Sequence, residues 1–70
     1  MSFPIWRQPD GEPVSCRDKL KVLQENHLEV LQALHDAFED AVLMGVDADS
    51  MKDILVIAVQ QLRSPMIGGT

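Results

Sequence analysis

Apolar residues recur every three or four positions through Cys16, Leu20, Leu23, Val30, Leu34, Ala37, Ala41 and Met44. His27 is the one polar interruption, and the seam predicts a single amphipathic helix over residues 15–44. A second row, Leu28, Leu31, His35, Phe38 and Val42, lies beside it and widens the apolar arc in the C-terminal half beyond what one partner helix covers. Ser15 with Asp18 three residues on has the form of a capping box, although the acid of that motif is more often Glu or Gln. Gly45 marks the stop, because a residue without Cβ enters the left-handed conformation that closes helices.

A second helix is predicted over residues 48–63. Asp47 or Asp49 can cap it, and with Asp47 as cap, Val46 and Met51 take the hydrophobic-staple positions. Met51, Ile54, Leu55, Ile57, Ala58, Val59 and Leu62 make it apolar around most of its circumference, which leaves a strip through Asp49, Lys52, Asp53, Gln60 and Arg63 for water. Its β-branched run could form a strand, but a lone strand would have nothing to pair with. Ser64-Pro65 is the stop signal, and residues 64–70, with Gly68 and Gly69 adjacent, read as a flexible tail.

Residues 1–14 read as an extended N-terminal arm. Pro4, Pro9 and Pro13 each remove an amide donor and push the preceding residue toward extended backbone, and Asp10-Gly11 is a turn signal. Phe3, Ile5 and Trp6 put three large apolar side chains in four positions of this arm. They are expected to fold back over helices of this chain or a sister copy, or to dock another protein.

Lengths set the expected architecture. At ~1.5 Å per residue the first helix is about 45 Å long and the second about 25 Å, so an antiparallel hairpin leaves Leu20, Leu23 and His27 beyond the reach of the second helix. The outer face of that second helix is also too apolar for water. The expectation is an all-α fold, a helical hairpin over residues 15–63 with its arm, dimerising into a four-helix bundle. Leu20, Leu23, His27, Val30, Leu34 and Ile57 are the candidate oligomer-interface residues.

Composition favours the same reading. A chain of 70 residues supports a single core of at most ~3 to 5 kcal/mol unless something staples it. One cysteine cannot form an internal disulfide, and no Cys/His cluster has zinc spacing, so self-association or an obligate partner is the remaining staple. No stretch reads as a signal peptide or membrane span, the longest apolar run being Ile54 to Val59, and a soluble, cytoplasmic protein is expected.

The net charge of −5 is unevenly spread. Residues 1–21 carry Arg7, Arg17, Lys19 and Lys21 against Asp10, Glu12 and Asp18; residues 22–49 carry Glu25, Glu29, Asp36, Glu39, Asp40, Asp47 and Asp49 with no Lys or Arg. Such a block repels phosphate backbones and argues against nucleic acid as a partner. An antitoxin-like DNA-binding reading, suggested by the short connection between two helices, has only Lys52, Gln60, Gln61 and Arg63 to offer a groove. Glu25, Glu29 and Asp36 lie on the polar stripe opposite the seam, and together with Phe3, Ile5 and Trp6 they are the candidate partner-binding residues.

Candidates for chemistry are few. His35 and Glu39, four apart on one face, could share a metal, and His27 or Cys16 could contribute to a cofactor site. The ferritin-like Glu-x-x-His signature is absent, since Gln32 and Gln24 stand where its glutamates would precede His35 and His27. Asp47, Asp49 and Asp53 fail the EF-hand pattern because Met51 occupies a ligand position, so they read as caps. Cys16 sits where a helix start and Arg17 would lower a thiol pKa. No cofactor and no catalysis by this chain alone are expected, and a protein-binding adaptor, regulator or accessory subunit is the function that composition and pattern favour.

Overall fold

The computed structural model describes residues 3–65, which contain two helices, α1 (Arg17–Leu43) and α2 (Ala48–Gln60), and no strand longer than an isolated bridge. Residues 66–70 of the tail expected over residues 64–70 lie outside the described residues. The chain divides into two compact units, Met1–Ala33 and Leu34–Thr70, and α1 runs through both. The fold class is all-α, as the periodicity predicts.

In the first unit the arm is not extended throughout. Residues 7–13 close into a small hairpin, with an antiparallel bridge between Arg7 and Pro13. The Gly11 amide donates to the Gln8 carbonyl at 2.9 Å, the Gln8 amide to the Glu12 carbonyl at 2.8 Å, and the Val14 amide to the Trp6 carbonyl at 2.8 Å. Pro9 and Asp10 make the turn, and Gly11 at φ +91° supplies the left-handed residue that a three-residue hairpin loop needs. The Asp10 carboxylate accepts from the Glu12 amide at 3.0 Å, and the Arg7 guanidinium donates to the Gly11 carbonyl at 3.0 Å.

α1 starts one residue later than Ser15 as cap predicts. The Cys16 carbonyl accepts the first helical hydrogen bond, from the Leu20 amide at 2.9 Å, which makes Cys16 the cap. At its other end the Val46 amide donates to the Ala41 carbonyl at 2.9 Å and the Gly45 amide to the Val42 carbonyl at 3.0 Å. This pair of bonds is the Schellman closure, and Gly45 adopts φ +98° to permit it.

In the second unit, residues 34–43 of α1 and the whole of α2 pack as a helical hairpin. The Asp47 carboxylate caps α2 by accepting from the Ser50 amide at 2.9 Å, which selects Asp47 over Asp49. α2 ends at Gln60 and not at Arg63. The Leu62 amide turns back to the Val59 carbonyl at 3.1 Å, which tightens the last turn, and Pro65 steers Ser64 away from helical backbone. Leu62 is 78% exposed, so another turn would gain little burial from it.

Asp47→Ala removes the α2 cap and is expected to cost about 1 kcal/mol, lowering the thermal midpoint by ~4 to 8 °C for a domain of this size. Gly45→Ala meets no atom within 4 Å of its new Cβ, so its cost is conformational alone, ~1 to 2 kcal/mol. Circular dichroism melts of both variants check these values; an unchanged midpoint in either removes the corresponding closure from the account.

Candidate functional site

Three surfaces hold the candidate residues. The first is an aromatic clasp within the first unit. Phe3 and Trp6 from the arm meet His27 on α1, with ring centroids 6.3 and 6.1 Å from the imidazole and 6.4 Å from each other. Trp6 stands edge-on to His27 at 84°, the arrangement in which ring edge and ring face attract. The hairpin at residues 7–13 reverses the chain ahead of α1 and so lets Phe3 and Trp6 lie along it. Ile5 is left out of the clasp and is 68% exposed. Of the arm residues proposed for partner binding, Phe3 and Trp6 therefore contact their own chain, and Ile5 remains available.

The second surface is the polar side of α1, where Glu25, Glu29 and Asp36 are all exposed, spaced to share one stripe. His35 and Glu39 pair with each other, imidazole nitrogen to carboxylate oxygen at 2.9 Å, on an exposed part of the helix. Among the described residues no three His, Cys, Asp or Glu side chains converge as a metal site would require.

The third surface is apolar and belongs to the second unit. Leu34 of α1 and Leu55, Val56 and Val59 of α2 line an open groove, with Lys52 and Gln60 at its edge. The Lys52 ammonium sits 5.7 Å from the centroid of the Phe38 ring, within cation–π range, so its charge is turned onto the aromatic face and the groove floor stays apolar. Val56 and Val59 are 53% and 57% exposed. The seam does not identify these α2 positions; the signal available in the sequence is the β-branched run that leaves α2 apolar on more sides than α1 can cover.

The proposed interface residues divide similarly. Leu20, Leu23, His27 and Leu34 are half-buried within their units, whereas Val30 and Ile57 are about half exposed. A smaller apolar groove in the first unit, lined by Val14, Val22 and Leu23 with Asp18 and Lys19, adjoins the start of α1.

Cys16 at that start is exposed, and its thiol pKa is lowered. The causes, in order, are hydrogen bonds from the Lys19 and Asp18 backbone amides, opposed by slight desolvation and assisted by the Lys19 charge. The helix thus opens at the Cys16 carbonyl, one residue after the Ser15 that the pattern assigns as cap. No helix among the described residues is long and apolar enough to cross a membrane. No family model, curated protein or solved structure matches this chain.

The lowered thiol pKa predicts that iodoacetamide alkylation of Cys16 in the folded protein reaches half its maximal rate at a lower pH than in the urea-unfolded chain. The backbone interactions that lower it vanish with the helix, so coincident pH profiles would contradict a lowered thiol pKa in the folded protein.

Proposed function

We propose that this chain is an interaction module, a small helical adaptor, regulator or accessory subunit that works by associating with itself and docking another protein. The observation that carries this reading is the shortage of interior. Among the described residues only Ala41, at 6% exposure, is buried, while Ile54, Val56, Ile57 and Val59 each expose half or more of their surface. Apolar burial is the main favourable term in folding, and a chain of this size with one buried residue gains little of it alone. Dimerisation of the helical hairpin into a four-helix bundle supplies the missing burial.

The docking elements in this reading are the exposed acidic stripe of Glu25 and Glu29 and the exposed Ile5 of the arm, and the partner the stripe suits is a basic protein surface. Charge complementarity of this kind steers encounter and fixes orientation more than it adds affinity. The absence of a converging catalytic or metal-ligating cluster among the described residues is consistent with an interaction role but does not carry it.

Two measurements test the reading. Light scattering on a sizing column is expected to give about twice the 7.8 kDa chain mass, and a monomer at about 100 μM would remove self-association. Immobilised protein is expected to retain a host protein that is lost with the Glu25→Lys/Glu29→Lys variant and weakened by Ile5→Ala. Retention unaffected by both would take the partner away from this stripe.

A further inference from the structure

We infer that the clasp of Phe3 and Trp6 on His27 is a pH-dependent latch, held tighter when the imidazole is protonated, and that it sets how firmly the arm presents Ile5. The latch belongs to the first unit alone. Only its consequence for docking rests on the interaction reading above.

The clasp joins a side chain of the type that changes charge between about pH 5 and 8 to two rings that do not titrate. The imidazole centroid is 6.1 Å from that of Trp6 and 6.3 Å from that of Phe3, and both rings are steeply inclined to it, at 84° and 66°. While the imidazole is neutral, the contact is the modest attraction of one ring's rim for another's face. A proton adds a full positive charge at about the reach of a cation–π interaction, from two π systems at once. Burial does not cancel this gain, because His27 is half-buried and the charged ring keeps part of its water.

The charges around the clasp leave the rings to answer that proton. Along α1 the residues one turn away, Leu23, Gln24, Val30 and Leu31, are uncharged, and Glu25 and Glu29 lie on the opposite, exposed side of the helix. Arg17, Asp18, Lys19 and Lys21 stand six or more positions back. The arm brings Arg7, Asp10 and Glu12, all beyond Trp6 in the hairpin. The Arg7 guanidinium is turned onto the Gly11 carbonyl at 3.0 Å and the Asp10 carboxylate onto the Glu12 amide at 3.0 Å. Among the described residues the histidine paired with a carboxylate is His35, with Glu39, and not His27.

Ile5 stands between the two clasping residues and is 68% exposed. With Phe3 and Trp6 both pinned to α1, Ile5 is held outward in one place. The hairpin at residues 7–13 closes through its own backbone bonds, so the residues ahead of it can leave α1 without undoing it. Acidification therefore fixes Ile5 for docking, and neutral pH loosens it.

Trp6 is the single tryptophan, so its fluorescence reports on the clasp directly. The test is the bimolecular constant for acrylamide quenching, corrected for lifetime, in wild type and His27→Gln at about pH 8 and about pH 5.5. The wild-type constant is expected to be about two- to fivefold smaller at the lower pH, and that of His27→Gln the same at both. Titration of every other group is common to the two proteins and cancels in the comparison. Gln is a good helix former, so helix content by circular dichroism is expected to match wild type. Phe3→Ala, which removes one of the two rings and leaves α1 unaltered, is expected to reduce the wild-type response. A packing role for His27 would shift accessibility equally at both pH values. A wild-type constant that is unchanged or larger on acidification, or a fall that persists in His27→Gln, overturns the latch. The measurement needs no partner, so its failure leaves the interaction reading standing, and failure to capture a partner leaves the latch standing.

Discussion

The constraint on which this fold depends is the closure at Gly45. Two backbone bonds, from Val46 to Ala41 and from Gly45 to Val42, end α1 and turn the chain so that α2 returns along it. Ala41, the only buried residue among those described, accepts one of them. A small side chain at that point lets the returning chain approach the helix closely. The Asp47 cap then starts α2 two residues further on. Both helices are thereby finished by local hydrogen bonds at the turn, and their apolar surfaces are left to be satisfied by packing.

That division of labour explains why so much apolar surface remains. Local closures hold helices but do not bury side chains, and α2 at 13 residues is too short to cover the two apolar rows of α1. Leu34 and Ala41 are taken up within the hairpin, while Ala37 and Met44 of the same row are exposed and Leu31 and Val42 of the second row stay about 40% exposed. In the first unit the arm does part of this work, with Phe3 and Trp6 on His27. Each unit therefore shields one part of α1 by its own means, the first with aromatic rings and the second with a helix.

Much of this was legible in the residues. The seam located α1, Gly45 located its end, Asp47 was one of two caps considered, and Asp10-Gly11 marked the turn of the arm. What periodicity could not supply was the competition at each boundary. Ser15 resembles a cap, yet the helix opens one residue later, at the Cys16 carbonyl, because sequence spacing does not say at which of two adjacent residues the first helical hydrogen bond forms. The apolar pattern ran on to Leu62, but a helix continues only while packing repays its last turn, and α2 stops at Gln60. His27, an apparent flaw in an apolar seam, meets two rings separated from it by more than twenty positions, a contact that no local pattern encodes. The groove beside Leu34 was hidden for a similar reason: its walls come from two helices, and of them only Leu34 lies on the seam.

The central claim is that this chain completes its core with a second one. Urea unfolding followed by helix content at several chain concentrations tests it most directly, since a dimer dissociates as it unfolds and its stability depends on protomer concentration. The account predicts a midpoint that rises as concentration is raised about a hundredfold. A cooperative transition with the same midpoint at every concentration would contradict it, because the folded chain would then be stable alone with a single buried residue among those described.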